Sequence, residues 1–300
     1  MSVVFHHTLP PLKKYLKPNT IEEAVSLLSQ YGKDAKILAG GTDLLVLMRS
    51  RKIKPKYIID INSVQEANGI NFENGSLKIG AVSKLRDAEL SEAIRQEYHL
   101  LHDAVSQMAS VQIRNMGTVV GNICRASPSA DTLTPLLVLE ASIEIASRLE
   151  KKTAAIESFF TGPGETILKP SEMVTCIRIP RLPKNTASSF LRITRVAADL
   201  AKVSVATIVT KQSNNSFKAR IALGGVAPTA IRAKQAESFL NDKPLNSSVI
   251  EEAAKLAAQE CQPITDVRST KEYRRHICQM LVSKSLSECL KRFERNGDEQ

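Results

Sequence analysis

Apolar residues recur along this chain in short bursts divided by polar turns, and the period of the bursts changes. Thr20 and Glu23 have the spacing of a capping box, Ala24, Val25, Leu27 and Leu28 supply an apolar helix face, and Gly32 is a natural stop. This predicts a first helix over 20–31. A strand ending near Leu38, a glycine turn with a helix behind it, and the run Tyr57-Ile58-Ile59-Asp60-Ile61, expected as a buried strand, complete a small first unit. The chain then resets with a strand over 77–82, two helices between Arg86 and Met108, and a strand over 143–146. The alternating run 173–180 is expected as an edge or half-buried strand, because proline ends it.

Past Pro180 and Pro183 the order changes. Strand-like runs at 189–194, 202–210 and 217–223 precede two helical patterns, and strands followed by helices imply an α+β unit. Ser247 or Ser248 is the expected cap of a helix reaching Cys261. Ile277, Leu281, Leu286, Leu290 and Phe293 form a core-facing stripe on a last helix, expected to fray into a polar tail.

Composition narrows the class. A chain of 300 residues with 43% apolar content is globular, not disordered, and is long enough for two or three packed units. No apolar run is long enough to cross a bilayer, and the opening residues mix His6, His7, Pro10, Pro11, Lys13 and Lys14 without an apolar signal core, so a soluble cytoplasmic protein is expected. Cys124, Cys176, Cys261, Cys278 and Cys289 contain no C-x-x-C pair and read as buried or incidental thiols in a reducing compartment, with no metal or iron–sulfur site; Cys124 lies close to Asn122. The net charge of +10, with Arg49, Arg51, Lys52, Lys54 and Lys56 close together, fits a solvated basic face first and an acidic partner or cofactor phosphate second. Nucleic acid ranks last, because Trp is absent and no stacking platform accompanies the charges.

Two glycine-bearing segments carry the candidate chemistry: Ile37-Leu38-Ala39-Gly40-Gly41-Thr42-Asp43-Leu44, and Thr118-Val119-Val120-Gly121-Asn122 running on to Ala126-Ser127-Pro128. In each, an apolar stretch that reads as a strand meets small residues whose backbone N–H groups can approach a ligand closely. Either segment alone would ordinarily be a chain reversal. Together they read as a split cradle for a pyrophosphate. Neither the G-x-G-x-x-G fingerprint nor a P-loop occurs.

These two segments, with Ile113-Arg114-Asn115-Met116-Gly117 before the second, Ser129-Ala130-Asp131 after it, and the late run Ala222-Leu223-Gly224-Gly225-Val226-Ala227-Pro228-Thr229, resemble the FAD-binding medium subunit of the molybdenum hydroxylases. That family includes subunits of xanthine dehydrogenase, aerobic carbon monoxide dehydrogenase and nicotinate dehydrogenase. The resemblance covers nearly the whole chain. It implies a vanillyl-alcohol-oxidase-type (PCMH-type) FAD-binding domain over 1–180, made of two α+β subdomains (about 1–62 and 63–180), and an α+β carbon monoxide dehydrogenase flavoprotein-type domain over 181–300.

By the same resemblance, Ile37, Leu38, Ala39, Gly40, Gly41, Thr42, Asp43 and Leu44 wrap the pyrophosphate of a non-covalent FAD, and Thr118, Val119, Val120, Gly121 and Asn122 form the second contact. Val120 stands where the family normally has the first glycine of T-x-G-G-N, so a position needing positive φ would be strained. Asp131 matches an aspartate near the ribityl chain, and Val174 meets the ring through its backbone. Arg192, with Arg195 as alternative, brings positive charge to the isoalloxazine. No side-chain catalyst is implied. The implied partners are a large molybdopterin-binding subunit and a small subunit with [2Fe-2S] clusters, in a heterotrimer that hands electrons to NAD or another acceptor. Substrate identity would lie on another polypeptide. Two rival readings are a stand-alone flavin oxidase of this fold, which often links its flavin to a His or Cys, and a basic non-catalytic binding module.

Overall fold

The first helix forms where its cap predicts. In the computed structural model, which describes residues 8–212 and 216–298, the Thr20 side chain accepts from the Glu23 N–H and Gly32 ends the helix with φ 51. This α1 (Ile21–Tyr31) follows β1 (Lys14–Leu16) and leads to β2 (Ala35–Leu38), α2 (Leu44–Arg49) and β3 (Tyr57–Asp60). The three strands make a parallel sheet in the order β1-β3-β2. Ala24, Val25 and Leu28 of α1 pack against Ile59 and Ala35, while Ile58 and Met48 are buried too. His6 and His7 lie outside the described residues.

The second unit opens with a hairpin, β4 (Ile70–Glu73) and β5 (Ser76–Gly80), then runs through α3 (Leu85–Leu90), α4 (Glu92–Glu97), α5 (His99–Gln107), α6 (Val111–Met116), α7 (Val119–Cys124) and α8 (Leu133–Val138). Three helices thus occupy the stretch expected to hold two, because Ser91 caps a fresh helix at the Ile94 N–H. β6 (Ser142–Ala146), β7 (Lys151–Ala155), β8 (Phe160–Gly162), β9 (Glu165–Thr166) and β10 (Met173–Pro180) complete the unit.

β10 is not an edge strand. It lies in the middle of a five-stranded sheet, β4-β5-β10-β6-β7, antiparallel to both neighbours. Its polar positions are accommodated locally: the register shifts between Val174 and Cys176, and Arg178 pairs with Glu144 and Glu73. Leu77, Ile79, Ile143, Ile145, Ile177 and Ile179 meet Leu100, Leu101, Val119, Ile123 and Leu136 in one core. Each such side chain contributes on the order of 2 kcal/mol of transfer free energy when buried.

The last unit is a four-stranded antiparallel sheet of β11 (Thr186–Ile193), β12 (Val203–Lys211), β13 (Phe217–Gly224) and β14 (Ile231–Arg232), with α9 (Lys234–Leu240), α10 (Ser247–Glu260) and α11 (Lys271–Asp298). Asn246, not either serine, caps α10 through Oδ1 on the Val249 N–H, and α11 stays helical to Asp298 where fraying was expected. β12 is covered on both faces. Val203, Val205 and Val209 face the helices, whereas Ala206 and Ile208 join the core of the preceding unit. That double burial welds the last sheet to the rest.

Candidate functional site

β2 delivers Ile37 and Leu38 to a loop, 39–43, that ends at Leu44, the first residue of α2. Gly41 has φ 74, a conformation that admits glycine at little cost. Gly40 answers to proximity instead. A Cβ there would fall on the Met116 carbonyl oxygen and lie 2.7 Å from Gly117 Cα, so this backbone rests directly on the turn between α6 and α7. The first glycine segment therefore touches the turn that leads into the second, far away in sequence. Among the described residues, the N–H groups of Gly40, Gly41, Thr42 and Asp43 donate to no protein acceptor. Four donors along one partly open loop suit the oxygens of an anion.

The second segment departs from its expected conformation. Thr118-Val119-Val120 is not a strand end but a helix start: Thr118 Oγ1 accepts from the Gly121 N–H at 2.9 Å and α7 begins at Val119. β-branched residues suggested a strand; the cap decides otherwise. Val120 lies 4% exposed on α7 and is not among the residues with positive φ, so valine is unstrained at this position. Gly121 is constrained by the cap, since a Cβ there would come within 2.7 Å of Thr118 Oγ1. Asn122 Oδ1 accepts from Thr132 Oγ1 at 2.6 Å, which ties α7 to the approach of α8.

Asp131 does not cap α8. It is buried and accepts from Arg192 on β11, whose guanidinium also donates to the Gln107 carbonyl. Burial pushes the Asp131 pKa up to about 6, and the Arg192 charge and hydrogen bond oppose it. Among the described residues, Asp131 Oδ1 is buried with no hydrogen-bond partner. Arg195, the alternative, is an exposed residue paired with Asp199 at 3.5 Å, so Arg192 is the guanidinium held here. Val174 is buried in β10 beside its register shift.

The late glycine run packs against the stretch that follows the second segment. Gly225, at φ 74, donates its N–H to the Pro128 carbonyl at 2.8 Å, and Arg274 Nη1 donates to the carbonyls of Gly225 and Lys202. A Cβ on Gly224 would collide with Ser204 Oγ, so only glycine fits between β12 and residues 128–134.

Sequence reading missed a polar strut beside the first segment. Asp60, at the end of β3, accepts from Tyr15 Oη at 2.6 Å and from the Asn62 N–H and side-chain amide at 3.0 and 2.7 Å. Burial opposes ionisation of Asp60, yet these hydrogen bonds hold its pKa below the usual carboxylate range. Asn62 Nδ2 also donates to the Ala39 carbonyl at 2.8 Å, while Lys84 Nζ donates to Asn62 Oδ1 at 2.9 Å. Arg125 reaches Asp43 at 3.4 Å. The available signal was Asp-Ile-Asn beginning on the last residue of a strand, an Asx-type pattern at the mouth of the parallel sheet.

The free N–H row, the glycine contacts and the flanking cations fit a pyrophosphate-bearing cofactor. Comparison with known proteins agrees. Residues 10–182 match the family model described as the FAD binding domain in molybdopterin dehydrogenase, and 188–289 match the CO dehydrogenase flavoprotein C-terminal domain. The carbon monoxide dehydrogenase medium chain of Hydrogenophaga pseudoflava is 33% identical over 279 residues, covering 93% of this chain and 97% of that one. The xanthine dehydrogenase FAD-binding subunit of Escherichia coli O157:H7 is also 33% identical, over 92% of this chain and 95% of its own length. Among solved structures, carbon monoxide dehydrogenase from Hydrogenophaga pseudoflava superposes with a TM-score of 0.91 at 32% identity, covering 95% of this chain and 99% of that chain. Quinoline 2-oxidoreductase from Pseudomonas putida 86 gives 0.88 at 26% identity, over 95% and 98%. With both halves matched in order, a PCMH-type flavin domain followed by a CO dehydrogenase flavoprotein-type domain, the chain belongs to the FAD-binding medium-subunit family of the molybdenum hydroxylases.

Proposed function

We propose that this chain holds FAD non-covalently between its two glycine segments and passes electrons between the iron–sulfur clusters of a small partner subunit and an external acceptor such as NAD. A large molybdopterin-binding subunit would complete the assembly and determine the substrate. The observation that carries the reading is the row of N–H groups at Gly40, Gly41, Thr42 and Asp43 that find no acceptor among the described residues, with Gly40 laid against the Met116–Gly117 backbone.

When bound, FAD supplies the redox chemistry. The chain's residues bind and orient it. Ile37 and Leu38 deliver the loop, Ala39 to Leu44 would receive the phosphates, and Thr118 to Asn122 would form the opposing side, with the Thr118 cap fixing the turn. Asp131 would meet the ribityl hydroxyls, the Val174 backbone would lie against the ring, and Arg192 would bring a guanidinium that Asp131 and the Gln107 carbonyl hold in place. No side chain need act as acid or base. The shared core under β12 would exclude water from the Asp131 side.

The visible absorption spectrum of the purified chain, before and after addition of FAD, tests this. Flavin bands that leave with the denatured protein's supernatant as intact FAD are the expected result. Failure to retain FAD, both alone and when co-expressed with its partner subunits, would remove the assignment, and salt-sensitive adhesion to polyanions would then favour a basic binding module.

A further inference from the structure

Lys84 is the residue at which the two glycine segments are joined. Its backbone stands opposite Thr118 in an antiparallel bridge, flanked by the Leu85 N–H to the Gly117 carbonyl at 2.8 Å and the Val119 N–H to the Ser83 carbonyl at 3.3 Å. Its side chain turns toward the other segment: Nζ donates to Asn62 Oδ1, and Asn62 Nδ2 donates to the Ala39 carbonyl. One residue thus contacts the second segment through its backbone and the first through a single intervening amide.

The electrostatics of this lysine differ from those of its neighbours. Arg125 faces Asp43, and Arg192 is held by Asp131. Lys84 forms no ion pair with a carboxylate among the described residues. The nearby acids are committed elsewhere: Asp87 accepts from the Lys84 backbone N–H, and Asp60 accepts from Tyr15 and Asn62. An ammonium carries three donors, and here the hydrogen bond to Asn62 engages one. Burial pushes the Lys84 pKa down, against the pull of Asp87 and Asp60. A half-buried cation with donors to spare, linked through Asn62 to the Ala39 carbonyl at the start of the loop that carries the spare N–H groups, has the chemistry to hold an anion there.

We propose that Lys84 is a cationic binding residue of this site, donating to the cofactor's pyrophosphate from the junction of the two segments. The inference rests on the flavin reading above, and it assigns to Lys84 a role that neither glycine motif contains. Because the ammonium is anchored through Asn62 to the Asp60 carboxylate, it is preorganised and loses little freedom on binding.

The test is a fluorescence titration of the full-length flavin-free chain with FAD and with riboflavin, which has the ring but no phosphate. Lys84→Gln should weaken FAD roughly tenfold, as expected for one partly solvated charge pair, and leave riboflavin unchanged. Lys84→Arg should restore most of the FAD affinity, and the wild-type affinity should fall more steeply with salt than that of Lys84→Gln. Equal FAD affinity in wild type and Lys84→Gln overturns the proposal while leaving the flavin reading intact. So does equal weakening of FAD and riboflavin in both Lys84→Gln and Asn62→Ala, which would make Lys84 a prop for the loop. A wild-type chain that binds neither compound removes the flavin reading and this inference together.

Discussion

Arg192 donates to Asp131 across 61 residues of sequence, with 6% and 4% of the two side chains exposed. The pair joins a strand of the last sheet to the segment that follows the second glycine turn. Buried pairs of this kind are weak sources of net stability but costly to break singly, because the survivor keeps its charge without its partner.

Arg192→Met should therefore destabilise the chain by about 3–5 kcal/mol, and Asp131→Leu by a similar amount, while the double variant recovers much of the loss. Urea unfolding of the four proteins measures the coupling directly. A coupling near zero would show that the guanidinium and carboxylate are independent.

The same carboxylate gives a pH dependence with a defined sign. Its folded-state pKa is raised from 3.8 to about 6, so the folded chain holds this proton more tightly than the unfolded chain does. The resulting stabilisation is fully present below pH 3.8 and is lost as pH rises through about 6. Relative to Asp131→Asn, wild type should lose up to about 3 kcal/mol between these limits. Melting curves of both proteins across that window should diverge in this direction and not the reverse.

Gly40→Ala and Gly75→Ala separate two reasons for glycine. At Gly40 the added methyl meets the Met116–Gly117 backbone that leads into the other segment, whereas Gly75, at φ 76, has open space around the new carbon. Gly40→Ala should cost about 2 kcal/mol or more and abolish flavin retention. Gly75→Ala should cost about 1 kcal/mol through backbone strain alone and leave flavin retention unchanged. Thermal melts with flavin absorbance read both quantities.

Val120→Gly tests whether the missing family glycine matters. Val120 is buried on α7 without positive φ, so glycine there removes packing and helix propensity at once. A loss of about 2–3 kcal/mol is expected, with no gain in flavin affinity. Tighter FAD binding by this variant would mean that the valine distorts the turn after all.

What the sequence made legible was local. Thr20 announced α1, and the β-branched run at Tyr57 announced β3, because a cap and a burial pattern are properties of neighbouring residues. The central place of β10 was hidden, since Thr175 and Arg178 look like solvent-facing positions until Glu144 and Glu73 arrive from other strands. At Val119 and Val120 strand propensity competed with the Thr118 cap, and tertiary support decided for the helix. The glycine segments were recognisable as motifs. Asn62 and Lys84 belong to no motif, and only their convergence on Ala39 and Thr118 reveals them.

The stretch 126–131 is gripped from three directions: Gly164 donates to the Ala126 carbonyl, Gly225 to the Pro128 carbonyl, and Arg192 to Asp131. Two of those three grips originate after residue 183, one on β11 and one in the loop that follows β13. Recombination between relatives at the Pro180–Pro183 junction would therefore not exchange independent modules. A chimera joined there would inherit one parent's carboxylate and the other's guanidinium and glycine turn, and its fitness would hinge on whether those parents agree at Pro128, Asp131, Arg192 and Gly225.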